Sequence, residues 1–248
     1  MIAVALVIGA VIGSFLNVVI VRLPKDESLV SRRSSCRACG TMIRWFDNIP
    51  ILSFIWLRGR CRQCGASIAW RYPVVEGLTA VLFLLAAWRI GWRAELAGAW
   101  ILLAALVTIS FIDLEHQIIP DAITLPGIVA GFVLSFISPS VTWLDALLGI
   151  LVGGGIPFLV IVVSPGGMGG GDMKLGAMLG AFLGYKLALV AIFSGVVLGG
   201  LVAGVLLATG LRGRRDPIPF GPFLAGGGVV ALLFGEGCIR WYLAAFTG

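Results

Sequence analysis

Apolar residues run in blocks as long as a lipid bilayer is thick, and that spacing decides what this chain can fold into. Met1 to Val21 carries no charge, and Ser14 and Asn17 are its polar side chains. A helical span needs about 20 mostly apolar residues. Further blocks cover 73–90, 96–112, 122–138 and 144–163. The stretch 175–211 is too long for one span, and Tyr185 with Lys186 divides it into a short and a longer one; a last block follows Pro222 and ends near Phe234. These blocks predict an all-α polytopic integral membrane protein of about eight transmembrane helices. Composition agrees: 59% of the 248 residues are hydrophobic and 12% charged, about half the charge of a soluble domain. With no basic residues ahead of the first block, a cleaved signal peptide is not expected; the block reads as an uncleaved first span.

The substantial polar stretch is 22–72, so the expected organisation is a first transmembrane helix (1–21), a polar loop (22–72) and a transmembrane helical domain (73–248). Lys and Arg concentrate in cytoplasmic loops. Arg22, Lys25, Arg32, Arg33, Arg37, Arg44, Arg58, Arg60, Arg62, Arg71, Lys174, Arg212, Arg214 and Arg215 fall in odd-numbered loops, and Arg89, Arg93, Lys186 and Arg240 in even ones. That split, 14 against 4 of the 18 present, places the odd loops in the cytoplasm and both termini outside. The net charge of +6 therefore sets topology, and nucleic acid is not an expected partner.

Within the first loop, Cys36-Arg37-Ala38-Cys39-Gly40 and Cys61-Arg62-Gln63-Cys64-Gly65 are two near-identical knuckles separated by 21 residues. Four such thiolates suit a tetrahedral structural zinc site, which leaves no coordination position open for chemistry. Two disulfides are the competing arrangement, disfavoured in a reducing cytoplasm, and a thioredoxin-like pair lacks its βαβ setting. Cys238 stands apart. Clusters such as Gly153-Gly154-Gly155 and Gly199-Gly200 read as close helix packing.

An ionisable group inside a span is a functional candidate. Of twelve acidic residues, Asp113 ends the third block and Asp172 opens the sixth after Gly169-Gly170-Gly171, both at the expected cytoplasmic edge. Two facing carboxylates sharing a proton can serve as general base and general acid on a water. Helix capping or snorkelling accounts for each Asp taken alone. His116, the sole histidine, reads as a helix-end residue. An ion-coupled transporter using the same aspartates is the alternative of a different class, though such a protein favours charges at the midplane and repeated halves.

The chain resembles the bacterial type IV prepilin leader peptidases, bifunctional enzymes that are also N-methyltransferases. The residues that carry the resemblance are the Gly13-to-Pro24 segment, the paired knuckles, Tyr72-Pro73-Val74-Val75-Glu76, the Asp113 segment, Gly169-Gly170-Gly171-Asp172 and Pro217-Ile218-Pro219-Phe220-Gly221-Pro222. It implies that Asp113 and Asp172 are the catalytic pair of an inner-membrane aspartyl protease. The implied substrates are prepilins or type II secretion pseudopilins, cut at the cytoplasmic face after the glycine ending a short basic leader. It further implies methylation of the new N-terminal residue with S-adenosylmethionine, for which Asn17, Arg22 and Glu76 are candidates. A peptidase-like relative that cleaves without methylating is the nearer alternative. The sequence names neither the pilin nor the oligomeric state.

Overall fold

Eight α-helices lie among the described residues: α1 (Ile2–Arg22), α2 (Leu52–Trp56), α3 (Arg71–Ile90), α4 (Glu95–His116), α5 (Asp121–Ser135), α6 (Trp143–Val163), α7 (Gly170–Ala208) and α8 (Gly221–Thr247). The computed structural model describes residues 2–29, 34–164, 167–211, 213 and 218–247. Arg32, Arg33, Arg212, Arg214, Arg215 and Pro217, used above, lie outside them. All helices but α2 and α5 are long and apolar enough to cross a membrane, six in number among the described residues, so the chain is a multi-pass membrane protein.

The expected count of eight turns on two short pieces. The 39 residues named α7 would rise about 58 Å as one straight helix, against a hydrocarbon core of about 30 Å. Its helical path is broken at Gly184, where φ is 74° and ψ 169°, one residue before the expected break. The first piece, 170–183, is about 21 Å long and α5 about 22 Å, each short of the usual span. α8 continues to Thr247 rather than ending near Phe234, because no proline or capping glycine interrupts it and Glu236 and Arg240 stay exposed.

The chain divides into two compact units, 1–92 and 93–248. In a bilayer the lipid tails are as apolar as a helix surface, so helices associate through close packing. In the first unit, Gly9, Gly13 and Asn17 of α1 face Ala80, Glu76 and Tyr72 of α3, an antiparallel ladder with steps of four residues. A Cβ on Gly9 would stand 2.6 Å from the Ala80 Cα, and one on Gly13 2.7 Å from the Glu76 Cα. The next rung is polar: the Asn17 side-chain amide donates to the Tyr72 carbonyl at 3.1 Å.

In the second unit α6 and α7 pack through two small-residue stripes. Cβ atoms on Gly149 and Gly153 would collide with the carbonyls of Gly180 and Gly176. Leu102, Leu106 and Ile109 of α4, Leu175, Met178 and Leu179 of α7, and Leu224 of α8 form one buried cluster. By locking these three helices together it fixes the C-terminal end of α4 against the N-terminal ends of α7 and α8, where the acidic residues lie.

Candidate active site and metal centre

Asp113 sits one turn before the end of α4, and Asp172 lies in the first turn of α7. Both are buried, and each is held by the backbone N–H of a glycine. The Gly221 N–H at the start of α8 donates to Asp113 Oδ2 at 3.0 Å. The Gly169 N–H donates to Asp172 Oδ2 at 3.0 Å, and the Asp172 N–H returns to the Gly169 carbonyl at 3.1 Å. Asp172 therefore does cap α7, the simpler role its position allowed. Capping occupies one oxygen, whereas Asp172 Oδ1 is also buried and has no partner among the described residues. A buried acceptor with no donor is costly and marks a place where a polar group is meant to arrive.

Ile119, in the turn between α4 and α5, joins the two sides. A Cβ on Gly171 would meet its Cβ at 2.7 Å, and one on Gly221 would meet its Cδ1 at 3.1 Å and Asp113 Oδ2 at 2.6 Å. The structure thus brings the Asp113 and Asp172 segments together around one side chain. Lys174, two residues beyond Asp172, points elsewhere: its Nζ contacts both carboxylate oxygens of Asp121 at 2.7 and 2.6 Å, tying the start of α5 to that of α7. His116 is exposed as the last residue of α4.

The knuckles repeat at the level of hydrogen bonds. Cys36 N–H donates to the Thr41 carbonyl and Gly40 N–H to the Cys36 carbonyl, each at 2.9 Å; Cys61 N–H donates to the Ala66 carbonyl at 2.8 Å and Gly65 N–H to the Cys61 carbonyl at 2.9 Å. Gly40 and Gly65 share a φ of 71°, the left-handed turn that glycine adopts without strain. The four Sγ atoms of Cys36, Cys39, Cys61 and Cys64 lie within 4.8 Å of one another, with Cys36 and Cys64 at 3.8 Å. A tetrahedron built on metal–sulfur bonds of about 2.3 Å has edges of about 3.8 Å, so the cluster has the dimensions to hold one metal ion. The Thr41 hydroxyl and backbone lower the Cys39 pKa to about 6 and backbone groups of Cys64 and Gln63 lower that of Cys61, whereas Cys64, despite the Ala66 backbone, is pushed up to about 11 by the sulfurs around it, so the cluster deprotonates unevenly. Arg62, inside the second knuckle, grips Asp47 in a bidentate pair at 2.6–3.1 Å, which staples the intervening segment to the site and holds the Asp47 carboxyl below its usual range.

The remaining candidates belong to the first unit. Asn17 is buried, donates to Gly13 and Tyr72 carbonyls, and leaves its Oδ1 without a partner among the described residues. Glu76 is buried on the adjacent rung, accepting the Ile51 N–H at 2.7 Å, with the Ser14 hydroxyl in reach. Arg22 donates to the Ser28 and Leu29 carbonyls at 3.1 and 3.5 Å, closing the turn after α1. Sequence reasoning did not find Gly221, Ile119 or the Asp121–Lys174 and Asp47–Arg62 pairs as parts of these sites. Gly221 alone carried a signal, its place in a proline-bounded motif.

Residues 7–90 match the family model described as the bacterial peptidase A24 N-terminal domain, and residues 100–204 that of the type IV leader peptidase family. A prepilin leader peptidase/N-methyltransferase of Myxococcus xanthus is 45% identical over 217 residues, covering 84% of this chain and 64% of that protein. One of Bacillus subtilis is 34% identical over 251 residues, the full length of both. The Pseudomonas aeruginosa protein of the same name is 35% identical over 267 residues, covering 96% and 92%. No solved structure shows a significant match.

Proposed function

The chain belongs to the type IV leader peptidase family, and from that premise we propose that it cleaves the leader from prepilins or pseudopilins and N-methylates the new N-terminal residue. The observation that carries the proteolytic reading is the pair Asp113 and Asp172: two buried carboxylates from different helices, each oriented by a backbone N–H, one oxygen still unpartnered. One carboxylate takes a proton from a water that attacks the scissile carbonyl. The other, protonated, delivers its proton to the leaving amide nitrogen, and the pair ends with its proton restored.

The tetracysteine site is proposed to hold structural zinc, folding a 22–72 segment too small for its own core. S-adenosylmethionine would supply the methyl group, and it carries ammonium and sulfonium cations. The unpartnered Asn17 Oδ1 and the Glu76 carboxylate are acceptors suited to a cation, whereas Arg22 shapes the adjoining turn. For an inner-membrane protein of this family, the charge split supports an orientation with both termini outside and the aspartates at the cytoplasmic face. Asp121, bound to Lys174, orders the same edge.

Purified protein incubated with a prepilin and S-adenosylmethionine should yield a product lacking the leader and bearing one added methyl group. Asp113→Asn and Asp172→Asn should each give no cleavage, since an amide can neither act as the base nor share the proton, yet both should methylate a pre-cleaved pilin peptide. Glu115→Gln should cleave normally and Asp121→Asn at an intermediate rate. Full cleavage by either Asn variant of the pair overturns the aspartyl mechanism; cleavage without any mass gain leaves a peptidase that does not methylate.

A further inference from the structure

The short helix α2 presents an unusual outer face. Leu52, Ile55 and Trp56 recur at the i, i+3, i+4 spacing that lines one side of a helix, and they are 65%, 65% and 82% exposed. Trp70, just before α3, is 73% exposed. An apolar surface of this size facing water calls for a partner.

The helix is not free to choose its position. Its first N–H neighbour, Ile51, donates to Glu76, which is buried one turn and a half into the spanning helix α3. Ile51 adopts a φ of 61°, a conformation that a β-branched residue takes only when its surroundings enforce it. On the inner side of α2, the Phe54 ring packs on Trp70 with centroids 5.0 Å apart. Both ties hold α2 at the level of the first turns of α3, which is where a bilayer meets water. Arg58 and Arg60 follow directly and are exposed. Tryptophan and leucine on one side with arginine beside them is the composition of an interfacial helix on anionic lipid.

We propose that the Leu52, Ile55 and Trp56 face of α2, together with Trp70, is seated in the interfacial layer of the bilayer that α3 crosses, with Arg58 and Arg60 at lipid phosphates. It gives the tetracysteine segment a hold on the membrane surface in addition to α1 and α3.

The test uses full-length protein in vesicles of phosphatidylethanolamine and phosphatidylglycerol, with or without lipids brominated near the top of their acyl chains. Subtracting the emission of Trp56→Phe from that of the wild type isolates Trp56. This difference emission should be blue-shifted, lose most of its intensity in brominated vesicles and resist iodide. Adding Leu52→Trp to the Trp56→Phe variant should restore a bromine-quenched component, which shows that the face is seated rather than one side chain. Difference emission that is red-shifted, iodide-quenched and indifferent to bromine overturns the proposal. So does shielding from iodide that appears only when a pilin substrate is added, which would make the face a protein-docking surface.

Discussion

Replacing the glycines around the two aspartates one at a time separates proximity from backbone freedom. At Gly221 an added Cβ stands 2.6 Å from Asp113 Oδ2. Ordinary contact begins near 3.4 Å, so the carboxylate must retreat by about 0.8 Å. That movement carries it from 3.0 Å to beyond hydrogen-bonding distance of the Gly221 N–H. Losing a hydrogen bond to a charged group costs about 1.5–3 kcal/mol, which is roughly 10- to 150-fold in rate. The independent figure for a 1 Å misplacement is about 10²-fold. Gly221→Ala should therefore lower kcat for leader cleavage by roughly 10- to 100-fold with KM little changed. Gly171→Ala should also impair cleavage, by about tenfold, because its Cβ meets the Ile119 Cβ at 2.7 Å, an atom too close to the backbone to swing away. Gly170, the residue before Gly171, has nothing within 4 Å, and Ala is the better helix former, so Gly170→Ala should leave the rate within about twofold. The assay is steady-state cleavage of a prepilin in vesicles, with circular dichroism melts of each variant to exclude unfolding. A folded Gly221→Ala enzyme with wild-type kcat would refute the clamp on Asp113. Equal damage from Gly170→Ala and Gly171→Ala would show that the glycine run acts through conformation and not through Ile119.

Cys61→Ser removes one of four thiolates, and a hydroxyl is a poor substitute for one; metal analysis should fall from one zinc per chain to none. Metal-free wild-type protein prepared without oxidation would defeat the zinc assignment. For the topology, cysteines introduced at Ser34 and Pro139 in intact cells should respond oppositely to an impermeant thiol reagent, with Pro139 labelled and Ser34 not. Labelling at Ser34 would reverse the orientation.

Much of this was legible because the signals are local. Apolar block length located most of the helices, though not the end of α8, which runs to Thr247 and well past Phe234, and the knuckle spacing specified a tetracysteine cluster whose sulfurs the fold then gathers. What stayed hidden lies in pairings between distant residues. The donor to Asp113 is 108 positions away and is a backbone N–H, which no side-chain pattern advertises. The partners of Gly149 and Gly153 are likewise invisible until α6 and α7 pack. Ile51 shows the opposite failure. Its positive φ contradicts local preference, and only the Glu76 carboxylate, 25 residues on, explains it.

The choice of partners for the two aspartates has a chemical logic. Among the described residues no lysine or arginine reaches either carboxylate; the polar contacts are the N–H groups of Gly169 and Gly221. Lys174, the nearest cation in sequence, is committed to Asp121. A full positive charge at hydrogen-bonding distance would favour an ionised carboxylate, and two ionised carboxylates have no proton to give the leaving group. A neutral N–H fixes one oxygen in place while leaving the pair free to hold a single proton between them. By the same logic, Asp121 is expected to serve the site by keeping Lys174 away from it as much as by joining α5 to α7. Asp121→Asn should then impair cleavage through two routes, a loosened edge and a lysine released from its partner. Asp121→Asn combined with Lys174→Gln, which removes that charge, should recover part of the loss, whereas no recovery would leave the tie between α5 and α7 as the whole of its role.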